Sequence, residues 1–154
     1  MSAGSVDQGG PTPKGADAHI SAPTAGHLPD DAVVVRGGEV TRRSLEKSAR
    51  LYEASYPGEY ALSFWSWPQL SADDIALRAA MPHPRYRKST AGRIRNLAVS
   101  DGRPLDLVRT GPRDGHYTLR LPAPPTDDDM DALRGAFDPS QPNPASAEEV
   151  SNSA

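Results

Sequence analysis

The chain of 154 residues contains no cysteine. Disulfide frameworks, thiolate zinc sites and cysteine nucleophiles are therefore excluded. Aromatic side chains make up only 6% of the sequence, so any core must rest mainly on aliphatic residues. Nowhere does an apolar run approach the roughly 18 residues that a membrane span requires. The start also lacks a charged segment followed by an apolar one. These absences predict a soluble, cytoplasmic protein that does not engage a membrane. Lysine is scarce as well: among 17 basic residues only Lys14, Lys47 and Lys88 are not arginine. With the abundant Ala and Pro, this bias points to a GC-rich bacterial coding sequence and says nothing about mechanism.

Gly, Ser, Ala, Pro and Thr dominate both ends of the chain. Residues 1–27 and 139–154 hold no apolar run that would offset the entropy of ordering, and both read as disordered tails. The 28–138 stretch remains, long enough to bury one small core. Its pattern predicts a small single α+β domain with a short sheet, three or four helices, and a C-terminal β-hairpin followed by a helix.

"DDAVVVRGG" places three β-branched residues before a glycine stop and reads as a buried strand. "TRRSLEKSARLYEAS" reads as an amphipathic helix, with Thr41 as N-cap and Leu45, Ala49 and Tyr52 at helical spacing. "YALSFWSWP" alternates like a strand and ends at Pro68. Ser71 caps the next helix, over residues 71–81, where Asp73 and Asp74 meet the positive end of the dipole. "PHPRYRK" reads as a proline-broken turn. A further helix is expected over 89–98, with Ala91, Ile94, Leu97 and Ala98 as its apolar stripe. Alternating runs on either side of Gly111–Gly115 predict a hairpin over 105–121. Thr126, three following aspartates, and Met130, Leu133 and Phe137 predict a capped terminal helix.

Charge is segregated along the chain. The stretch from Pro84 to Arg120 holds nine cations against three anions, whereas the rest holds eight against seventeen. A local field of this kind, rather than net charge, attracts a polyanion. A solvated face paired with acids elsewhere is the plainer explanation. The order helix, turn, helix and hairpin over 70–121 resembles a winged helix-turn-helix domain. That resemblance implies a second helix in a major groove and a hairpin against the backbone. It would place Ser89, Arg93, Arg95 and Asn96 toward base edges, and Arg85, Arg87 and Lys88 on phosphates. Arg109 and Arg113 would then lie at the wing.

The first half offers a second resemblance. "VVVRGG", followed about 25 residues later by "LSFWSWP", resembles the arginine and serine strands of R-S-E ADP-ribosyltransferases. The resemblance implies Arg36 on dinucleotide phosphates, and Ser63 or Ser66 beside the nicotinamide ribose. Such an enzyme also needs a carboxylate to stabilise the developing positive charge. No glutamate occurs between Glu59 and Glu148. Arg36 at a strand end and ordinary strand serines are the simpler explanation.

Other signals are weaker. His83, between prolines, reads as a turn residue and His116 as a hairpin surface residue, and neither has acids at metal-ligand spacing. "TDDDMD" is explained by helix capping, and "FWSWP" by core packing or a partner surface. The sequence thus predicts no cofactor, no metal and no catalytic residue. It favours a non-enzymatic, DNA-binding module. A divergent or inactive ADP-ribosyltransferase-like protein and a small protein–protein interaction domain remain as alternatives.

Overall fold

The valine run predicted as a buried strand lies in the middle of the molecule. In the computed structural model, which describes residues 27–146, it forms β1 (Val33–Gly37). α1 (Arg42–Ser55) follows, begun by a capping box in which the Thr41 side chain accepts from the Ser44 amide and Ser44 returns the bond. Next come β2 (Ala61–Trp65), α2 (Ala72–Ala79), β3 (Arg85–Thr90), α3 (Ala91–Arg95), β4 (Leu107–Arg109), β5 (His116–Arg120), α4 (Asp127–Gly135) and β6 (Gln141–Pro142). The six strands form one antiparallel sheet in the order β4-β5-β2-β1-β3-β6. The fold is α+β, as predicted.

Strand alternation sends successive residues to opposite faces. Val34, Leu62, Phe64 and Leu119 point to one side, where α1 and α4 supply Leu45, Ala49, Met130 and Leu133 to the larger core. Val35 and Tyr86 point to the other side, beneath Ile75, Ala76 and Ala79 of α2. The predicted caps of α2 and α4 are in place: Ser71 accepts from the Asp74 amide, and Thr126 forms a capping box with Asp129. Asp129 is buried, and its carboxylate also accepts from the Ser100 amide and hydroxyl. Burial alone would raise its pKa, but the bonds from Thr126 and Ser100 outweigh that and hold it below the usual carboxylate value.

Three sequence expectations require correction. Residues 85–90 are not a turn and the start of a helix: they form β3, paired with β1 over five residues. Only Tyr86 in that run is apolar, so the strand is specified by pairing with its neighbour and not by side-chain pattern. The expected 89–98 helix is accordingly reduced to the five residues of α3, with Thr90 as N-cap and Asn96 as C-cap. Finally, the domain does not stop at 138. β6 pairs with β3, and Asn143 is buried, donating from Nδ2 to the carbonyls of Met81 and His83. The rest of the expected tails, 1–26 and 147–154, lies outside the described residues.

Candidate functional site

β1 and β2 are neighbours in the sheet, yet they pair only at Val35 and Trp65. Beyond that pair the strands part, and Arg36 fills the split. Its guanidinium donates from Nη1 to the Ser63 carbonyl at 3.0 Å and from Nη2 to Ser48 Oγ, on α1, at 2.7 Å. The Phe64 ring lies beneath, 5.7 Å from the guanidinium carbon. The remaining nitrogen, Nε, is buried without a hydrogen-bond partner. Among the described residues no carboxylate forms an ion pair with Arg36. Burial without a balancing charge pulls its pKa down to about 10, so the group is still charged at neutral pH.

A cavity of 330 Å³ opens at this split. Arg36, Ser48 and Ser63 form its polar end, the Ala79–His83 segment and Trp65 form a wall, and Arg113 reaches in from the β4–β5 loop. Arg113 donates to the Ala79 carbonyl, at the end of α2, and its guanidinium carbon lies 4.5 Å from the Trp65 ring centroid. No Asp or Glu lines the cavity. Two guanidinium groups therefore face a half-enclosed space from which acids are excluded.

Glycine and asparagine bring the wall into place. A Cβ on Gly37 would lie 2.3 Å from His83 Nδ1 and 2.7 Å from Met81 Cε. With no side chain at Gly37, the Met81 and His83 side chains rest directly on β1. Asn143 fastens the same segment from behind, its amide donating to the Pro84 carbonyl and its Nδ2 to those of Met81 and His83. His83, read from the sequence as a turn residue, thus lies on Gly37 and borders the cavity. His116 stands edge-on to Trp65, half-buried, with its centroid 5.1 Å away. Burial lowers its pKa, the bond to Thr110 works against this, and the Arg113 charge lowers it further.

No protein-family model, no curated protein and no solved structure matches this chain.

The residues singled out for nucleic acid are dispersed. On β3, Arg85, Arg87 and Ser89 share one face and Lys88 takes the other, because strands alternate. Arg85 is bound to Ser140. Ser89 is buried, its hydroxyl donating to the Ala136 carbonyl, so the expected base contact is not open to it. Arg93 pairs with Asp138, and Arg95 bridges Asp30 and Asp106. Arg109 pairs with Asp114. Asn96 is exposed at the end of α3. Arg113 alone of this set lines the cavity, beside Arg36 and Ser63 from the second resemblance. Ser66 does not join them; it is buried, and its hydroxyl donates to the Val33 carbonyl. Nothing in the local pattern points to Asn143, because its neighbours are all tail-like in composition.

Proposed function

We propose that this protein binds a small anionic ligand in the cavity between β1 and β2. The observation that carries the reading is Arg36: a half-buried guanidinium without a carboxylate, lining a cavity that a second arginine borders. A buried charge without a partner is costly. An anion from solution would supply the missing partner, as carboxylates and phosphates commonly do for arginine. The role is binding, not group transfer. An R-S-E transferase requires a carboxylate at the reacting centre, and the residues bordering this cavity include none.

Inorganic pyrophosphate is the direct probe, and Trp65 in the wall makes intrinsic fluorescence the readout. Pyrophosphate should shift the emission saturably, and Arg36→Gln should weaken binding at least about tenfold, the loss of roughly 1.4 kcal/mol. Duplex DNA enters the same assay as a competing reading. If DNA binds with a steep salt dependence, is unaffected by Arg36→Gln, and pyrophosphate does not bind, the cavity reading fails in favour of the nucleic-acid one.

A further inference from the structure

Behind Arg36 stands a second cation that the cavity reading leaves unused. Arg87 is directly opposite Arg36 in the β1–β3 register. The two side chains therefore rise from one face of the sheet with Cβ atoms about 5 Å apart. Like charges opposed in this way are destabilising, and here neither is offset. No described carboxylate forms an ion pair with Arg87, and its Nε, like that of Arg36, is buried without a hydrogen-bond partner. Arg113 adds a third positive charge from the far side of the cavity.

A monoanion at Arg36 would balance only part of this charge. A ligand that balances more of it must concentrate two negative charges on one compact group. Resting on the anion-binding reading above, we infer that the site selects a terminal phosphomonoester dianion. Arg36 meets the phosphate oxygens, and the apolar wall of Ala79–Pro82 takes the esterified body. Arg87 does not border the cavity. It acts through its field on Arg36 and the ligand, strengthened by the partly buried setting. An internal phosphodiester reaches the same Arg36 with one charge fewer, and draws less from Arg87.

Calorimetric titration of the full chain at neutral pH with phenyl phosphate and with methyl phenyl phosphate separates the possibilities. Both carry the same ring, but only the monoester is largely dianionic there, its second pKa lying near 6. The monoester should bind about tenfold more tightly than the diester. Arg87→Gln should reduce that preference to about threefold or less, while Arg87→Lys, which keeps the charge, should largely preserve it. Equal binding of the two esters by the wild type would overturn the inference and leave the anion reading intact. Full preference retained in Arg87→Gln would overturn the role of Arg87. Binding of neither ester would remove the anion reading itself.

Discussion

Arg36 is a charge that the fold holds for little gain in stability, and methionine in its place tests why. Its pKa is pulled down to about 10, which at about 1.4 kcal/mol per pH unit corresponds to a penalty of about 3 kcal/mol for keeping the buried group charged. Because folding lowers this value, the unfolded chain holds the proton more tightly. The penalty is therefore present in full at any pH below about 10. Two hydrogen bonds from the charged group, to Ser48 and to the Ser63 carbonyl, return about 1.5 kcal/mol or more each. The two sides nearly cancel, so the arginine adds little net stability. Methionine has a similar length, can pack on Phe64 where the guanidinium now lies, and needs no partner. Arg36→Met should therefore stay within about 1 kcal/mol of the wild type, moving the urea midpoint by no more than about 1 M. Pyrophosphate at about a hundred times its wild-type Kd should add about 2.7 kcal/mol to the wild type and no more than about 1.4 kcal/mol to the variant. A variant that loses more than about 2 kcal/mol would mark Arg36 as a structural brace and refute the reasoning. So would a variant that pyrophosphate stabilises as much as the wild type.

Gly37→Ala sets a Cβ against the His83 ring and the Met81 methyl; it should cost about 1 kcal/mol in urea unfolding and weaken pyrophosphate binding by turning those two side chains aside. Asn143→Ala removes both donors to the 81–83 carbonyls. It should cost about 2 kcal/mol, and hydrogen exchange should show the 81–84 segment opening before the rest of the sheet. For Asp129 the folded pKa is depressed, so its contribution is present above the ordinary carboxylate value and is lost as pH falls through the folded one. Asp129→Asn should lose about 2 kcal/mol at neutral pH. The gap from the wild type should narrow in acid denaturation curves, and a constant gap would count against the carboxylate.

Much of the architecture was legible because its causes are local. Thr41, Ser71 and Thr126 cap helices through bonds to amides within three residues. The Val33–Val35 run, the glycines of the β4–β5 loop and the Met130–Leu133 stripe are similarly short-range signals. β3 was misread for the opposite reason. "RYRKST" has one apolar side chain, and its extended state is fixed by backbone bonds to β1 and β6. The charge surplus was legible too, but its meaning was not. Arg93 finds Asp138, and Arg95 finds Asp30, across distances in sequence that no motif spans, whereas Arg109 finds Asp114 inside the β4–β5 hairpin.

The sequence alone determined which segments could start and stop helices and which valines would be buried, since capping and side-chain periodicity act between near neighbours. Where the sheet splits was decided only in three dimensions. So were the placing of Arg36 in that split beside Ser63 and Arg113, and the use of Asn143, from beyond the expected end of the domain, to hold the wall. Strand pairing and the exclusion of carboxylates from a buried charge depend on which distant segments share a boundary, and no local pattern encodes that.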